Sequence, residues 1–120
     1  MTNASRALLA LLVACLIAAC GQAVPADKAD YVGDWRGPEM RLRITREGHV
    51  EYERRRDSGS TSVNAPLLGF DGDNFSAGIG FLRTTFVVTK RPYRDGSLWK
   101  MVVDGVEVTR AEGSGPSWNT

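Results

Sequence analysis

The chain has 120 residues, with 15 Lys and Arg, 14 Asp and Glu, one His and two Cys. A net charge of +1 gives no field that would gather nucleic acid, which excludes a nucleic-acid partner. The length suits one small domain with a single modest core.

In chain order, the first feature is an apolar run from Ala7 to Ala19 that follows one basic residue, Arg6. At about 13 residues it matches the apolar region of a signal peptide and falls short of the ~20 that a spanning helix needs. It ends in Ile17-Ala18-Ala19-Cys20. This stretch resembles the lipobox of bacterial lipoprotein signal peptides, with Ile17 where that family prefers Leu. The resemblance implies cleavage before Cys20, making residues 1–19 the signal peptide, and acylation of the Cys20 sulfur. Gly21 stands where Asp would retain such a protein in the inner membrane, so the resemblance implies the outer membrane, facing the periplasm. Each buried CH₂ contributes about 0.8 kcal/mol, so several acyl chains hold without help, and the folded part needs no membrane-binding face for retention.

Cys15 would leave with the signal and Cys20 would be acylated, so the remainder would have neither a disulfide nor a free thiol. Packing alone must then hold the fold, and three Trp, three Tyr and four Phe supply the large apolar surfaces.

Residues 20–30 read as a lipidated tether, polar and Ala-rich. From Tyr31, apolar residues alternate with period two and turn signals recur, while no stretch keeps a 3.6-residue stripe. The pattern predicts an all-β domain over 31–110, followed by a flexible tail, 111–120. Met40, Leu42 and Ile44 face Val50 and Tyr52 if a three-residue loop, Arg46-Glu47-Gly48, joins the strands. Arg54-Arg55-Arg56 leads into a polar loop, Asp57 to Ser60. A short strand near Ser62 to Asn64 is expected to break at Pro66 and resume over Leu67 to Phe70. A turn around Gly72-Asp73 pairs Phe70 with Phe75 and Leu68 with Ala77. Gly78 and Gly80 predict a bulge or sharp bend. Leu82 to Thr89 is the strongest strand, with Leu82, Thr84, Phe86 and Val88 on one face. Arg91 to Gly96 reads as a loop. Asp104-Gly105 predicts a type I′ turn that pairs Val103 with Val106 and Met101 with Val108, and sets Trp99 opposite Arg110. The expected architecture is a small antiparallel up-and-down meander of about seven or eight short strands, curled or closed into a barrel because open edges are a liability.

Gly33-Asp34-Trp35 at the start of this domain resembles the Gly-x-Trp signature of lipocalins. In that family an Arg near the last strand packs over the Trp, and Arg110 occupies the matching place. The resemblance implies a lipocalin-like barrel with Gly33, Trp35 and Arg110 as its structural signature. It rests on two short ends of the chain, which is shorter than a lipocalin and lacks the helix that follows the barrel. A barrel of short strands is readily filled by its own side chains, so a ligand cavity does not follow.

Catalytic chemistry is sparse. His49 adjoins Gly48 at a hairpin tip and reads as a solvated turn residue. No Ser/His/Asp set is evident, and one His without a free Cys gives no zinc site. Asp71-x-Asp73 starts like a calcium loop, but Ser76 and Leu82 stand where Gly and Glu are required. Gly78-x-Gly80 lacks the third Gly and any βαβ context. Asp34, Glu39, Glu51 and Glu53 could act as acid and base, but beside Arg41 and Arg43 they read as cross-strand ion pairs. No enzyme activity, cofactor or metal is expected.

Arg54, Arg55 and Arg56 are the one local excess of charge. They read either as a solvated strand end or as a contact for lipid phosphates or an anionic partner, joined by Tyr93 and Arg94 if the two loops are neighbours. The function expected is an outer-membrane lipoprotein whose non-catalytic barrel binds an envelope protein or lipid component. The alternatives are a carrier of a small apolar ligand and an inhibitor of a secreted hydrolase.

Overall fold

The computed structural model describes residues 21–116. Residues 1–19, expected to be a signal peptide, Cys20 and residues 117–120 lie outside the described residues. A 3-10 helix, Ala26–Tyr31, leads into nine strands: β1 (Gly33–Gly37), β2 (Met40–Ile44), β3 (His49–Arg56), β4 (Gly59–Asp71), β5 (Asn74–Ile79), β6 (Leu82–Phe86), β7 (Val88–Asp95), β8 (Leu98–Val103) and β9 (Val106–Arg110). They form one antiparallel sheet in the order β6-β5-β4-β3-β2-β1-β9-β8-β7.

Consecutive strands pair except β6 and β7, and β1 also pairs with β9, Trp35 opposite Arg110. β6 and β7 therefore end up at opposite ends of the sheet, although only Val87 separates them along the chain. They are one long strand bent at Val87. Its first part pairs with β5, Phe86 opposite Phe75, and its second with β8, Val88 opposite Val103. Bridging both ends of the sheet with one continuous strand curls it into a half-barrel. The bend is clamped: the Val87 N–H donates to Asp104 Oδ1 at 2.9 Å, the Asp104 N–H to the Val87 carbonyl at 2.8 Å, and the Val88 N–H to Asn74 Oδ1 at 2.8 Å.

Alternation fixes which face goes in. Trp35, Leu42, Ile44, Val50, Leu67, Phe75, Phe86, Met101, Val103 and Val108 are fully buried. Phe75 stacks on Phe86 at 4.8 Å, and Tyr52 meets Phe86 edge-on at 5.0 Å. Two hairpins have the predicted register. Ile44 pairs with Val50 and Leu42 with Tyr52, around a loop in which Gly48 has φ +97°. Met101 pairs with Val108 and Val103 with Val106, across Asp104 and Gly105 at φ +48° and +79°, the left-handed pair that a type I′ turn requires.

Elsewhere the structure corrects the expected strand limits. Ser60 is already in β4 opposite Arg55, so the polar loop shrinks to Asp57-Ser58. β4 continues through Pro66 because that residue lies just past the Leu67–Ala77 rung of the β4–β5 ladder, where a missing N–H breaks little. Ala77 pairs with Leu67 rather than Leu68, because a bulge opens between Leu67 and Gly69, the latter at φ +149°. Arg91 to Asp95 is strand: Pro92 is accommodated at a register shift between Lys90 and Tyr93, on a strand with one free edge. In β6 the inward pattern reaches the core only at Phe86, leaving Leu82 and Thr84 exposed.

The segments at both ends of the domain are tied down. The Gln22 N–H donates to the Leu67 carbonyl and the Val24 N–H to that of Arg46, both at 3.0 Å, and Val24 is buried. Residues read above as tether thus lie on the sheet from Gly21 onward. The Ala111 N–H donates to the Asp34 carbonyl at 2.8 Å, and the Ser114 Oγ accepts from the Asp34 N–H at 3.0 Å, which fixes the start of the tail.

Candidate binding site

Two regions collect the residues singled out in the sequence. The first is built on the β1–β9 pairing. Register sets Arg110 beside Trp35, and its guanidinium lies 5.4 Å from the Trp35 ring and 4.8 Å from that of Trp99. The Arg94 guanidinium lies 5.8 Å from the ring of Trp99, its cross-strand partner. Arg110 Nη1 donates to the Asp30 carbonyl at 3.1 Å and the Val32 carbonyl at 3.3 Å, while Trp35 Nε1 donates to the Tyr31 carbonyl at 2.9 Å. Partial burial pulls the Arg110 pKa down, and the Asp30 carboxylate opposes that shift. Gly33 makes the arrangement sterically feasible: a Cβ there would lie 2.5 Å from Arg110 Cδ. Gly33, Trp35 and Arg110 therefore form one packed unit that ties the chain's start to its last strand. The unit is structural, since the Trp35 ring is wholly buried.

The second region is the end of β3. Arg54, Arg55 and Arg56 pair with Thr61, Ser60 and Gly59, and the Arg55 N–H donates to the Glu39 carbonyl at 2.8 Å. They therefore stand beside the β1–β2 turn. An open groove of about 450 Å³ runs there, lined by Arg36, Gly37, Glu39, Met40, Arg41, Glu53 and Arg55. Arg36 pairs with Asp34 at 3.1 Å and Arg55 with Glu53 at 4.0 Å. Arg54 and Arg56 have no ion-pair partner among the described residues.

Tyr93 and Arg94 do not join this cluster. β3 and β7 run so that Arg56 and Arg94 reach opposite ends of the half-barrel, one by the β1–β2 turn, the other by Trp99 and the start of β8. Neighbouring loops, the condition for a shared site, are absent for these residues.

The outer-face carboxylates take up the expected ion pairs. Arg43 meets Glu51 at 3.8 Å, Arg41 meets Asp34 at 3.8 Å, and Lys100 meets both Asp95 at 2.8 Å and Glu107 at 3.5 Å. The hydrogen bond from Lys100 pulls the Asp95 carboxyl below its ordinary range. His49 hydrogen-bonds Asn64 across the β3–β4 ladder. No group of three or more His, Cys, Asp or Glu suited to a metal ion occurs among the described residues.

Two features carry no signal in the sequence pattern. Arg36 joins the groove only because the β1–β2–β3 register lines it up with Arg41 and Glu53. The Ile79–Leu82 tip falls where Gly78 and Gly80 predict a bulge or bend, but that its apolar side chains are exposed is not legible in the pattern, which counts Leu82 on the inward face. Compared with family models, curated proteins and solved structures, the chain matches none.

Proposed function

We propose that this chain is an envelope lipoprotein, acylated at Cys20 and held at the outer membrane facing the periplasm, whose half-barrel is a non-catalytic module that binds an envelope protein or lipid component through anionic groups. The observation that carries the binding half of this reading is the arginine run at the end of β3: Arg55 lines the open groove by the β1–β2 turn, and its chain neighbours Arg54 and Arg56 have no ion-pair partner among the described residues. A guanidinium there offers a planar donor fork suited to phosphate or carboxylate. The anchoring half rests on the lipobox resemblance and on Gly21, which seats the domain one residue from Cys20.

Two measurements test it. Radioactive palmitate should label the chain in cells and fail to label the Cys20→Ser variant. Purified acylated protein should retain an envelope component that the Arg54→Glu/Arg56→Glu variant releases. Equal retention by both proteins removes the groove from the reading. Hydrolysis of an ester, glycoside or peptide panel, abolished by replacing one acidic residue, removes the non-catalytic assignment.

A further inference from the structure

The β5–β6 hairpin ends in Ile79-Gly80-Phe81-Leu82, whose large side chains are 65 %, 95 % and 67 % exposed at positions 79, 81 and 82. Three adjacent exposed apolar side chains at one tip form a patch, unlike scattered surface apolar residues. The tip is well formed. Ile79 pairs with Leu82 and Gly78 with Arg83. Gly80 takes φ +62°, and Gly78 lies so close to the Leu82 carbonyl that a side chain has no room. The patch is therefore held out on a closed two-residue turn.

Its position relative to the chain's start identifies what covers it. Gly21 is fixed against β4 and the β2–β3 turn: a Cβ there would lie 2.8 Å from Pro66 Cβ and 2.6 Å from the Gly48 carbonyl oxygen. The next residue bonds Leu67. Leu67 pairs with Ala77, and Ile79 lies two residues further along β5. At about 3.4 Å per residue and 4.8 Å between strands, the tip starts on the order of 10–15 Å from Gly21. The chain preceding Gly21 is Cys20 and the apolar run Ala7 to Ala19. Cys20 adjoins Gly21 in the chain, so a single peptide bond joins the described domain to it. An open hollow on β4–β6 near these points is lined by Leu68, Gly69, Phe70, Asp71, Ser76 and Arg83.

We infer that the β5–β6 tip dips into the lipid bilayer to which Cys20 is attached, with Phe81, Leu82 and Ile79 among the acyl chains and Arg83 at the level of the headgroup phosphates. The inference rests on the proposed anchoring and adds to it an orientation: the β4–β6 side faces the membrane and the β7–β9 side faces away. The acyl chains retain the protein, and the tip stops it from swinging.

The test uses the full chain, processed in a diderm bacterial host and reconstituted into vesicles of phosphatidylethanolamine and phosphatidylglycerol. With Cys20 acylated, a cysteine introduced as Phe81→Cys is the one free thiol and takes a polarity-sensitive fluorophore. Ser97→Cys and Glu107→Cys, on exposed positions of the far side, are the comparisons. The expected result is blue-shifted, several-fold brighter emission at position 81 that spin-labelled lipid quenches, against water-like, unquenched emission at 97 and 107. Adding Ile79→Ser and Leu82→Ser should remove the shift. Water-like emission at 81 in acylated, vesicle-bound protein overturns the inference and leaves the anchor standing. A shift at 81 that grows with protein density and ignores lipid quencher overturns it in favour of a second copy. Absence of palmitate from Cys20 in the same preparation overturns the anchoring itself. Because Phe81 is almost fully exposed, its replacement leaves the core untouched.

Discussion

Arg110 is the residue on which most separate contacts converge. It spans two indole rings and two backbone carbonyls, and Gly33 and Gly115 leave it space. Guanidinium–indole contacts that are partly desolvated contribute about 1–2 kcal/mol each. Arg110→Ala should therefore lower stability to urea by about 2–4 kcal/mol, and Arg110→Lys should recover less than half of that because Lys lacks the planar fork. Gly33→Ala should produce a comparable loss, since Gly33 sits at φ +151° and the new methyl collides with Arg110 Cδ. Equal stability of Gly33→Ala and the parent in a urea titration would show that Arg110 moves aside without penalty. Tyr31 supplies a pH prediction. Burial, reinforced by the Asp73 carboxylate, raises its pKa from 10.0 to about 12. The folded protein then holds the phenol proton more tightly than the unfolded chain does. Its contribution is complete below pH 10 and is lost as pH rises toward 12. Tyr31→Phe should flatten the fall in stability over that window while losing the hydrogen bond that Tyr31 Oη donates to the Asp73 carbonyl.

At the scale of elements, the bend at Val87 decides whether the sheet curls. Its two side-chain acceptors, Asn74 Oδ1 and Asp104 Oδ1, satisfy consecutive amides that no strand neighbour reaches. The Val88 amide is part-buried, so losing its partner costs up to about 1–3 kcal/mol, whereas the exposed Val87 amide can turn to water. Asn74→Ala/Asp104→Ala should speed hydrogen exchange at the Val87 and Val88 amides far more than at Leu42 or Val103; uniform acceleration would mean the bend opens only with global unfolding. The bend also shows where sequence pattern stops being informative. The β2–β3 and β8–β9 hairpins were legible because a single register satisfies both the apolar face and a glycine at positive φ. The course of Leu82 to Asp95 was not. Its alternation reads as one flat strand as far as Thr89, and Pro92 reads as a loop, because pattern is blind to which edge lacks a neighbour. Asp104 and Asn74, the residues that turn the strand, look like ordinary turn residues until the topology sets them beside Val87. Trp35 and Arg110 were legible as a pair only through the lipocalin resemblance, and the β1–β9 register sets them opposite each other. That Arg54 and Arg94 lie at opposite ends was not, because it depends on strand direction summed over half the sheet.

For the whole molecule, the decisive quantity is how much of its stability resides in one continuous core. The described residues contain no cysteine, so packing holds the half-barrel, and a domain of this size commands about 5–15 kcal/mol in total. Phe86 touches Phe75 and Tyr52 at the point where the long strand turns, so it ties the bend to β5 and β3 in the core. Truncating a buried Phe removes about 3–5 kcal/mol, which here is a large share of the whole. Phe86→Ala should therefore lower the melting temperature steeply and broaden the transition. Phe81→Ala, five residues away but exposed, should leave it within a degree or so of the parent. The contrast separates two aromatic residues that hydropathy alone treats alike: one holds the fold together, and the other is free to serve a contact outside it. If Phe81→Ala proved as destabilising as Phe86→Ala in calorimetry, the tip would be part of the folding core and could not be spared for a bilayer.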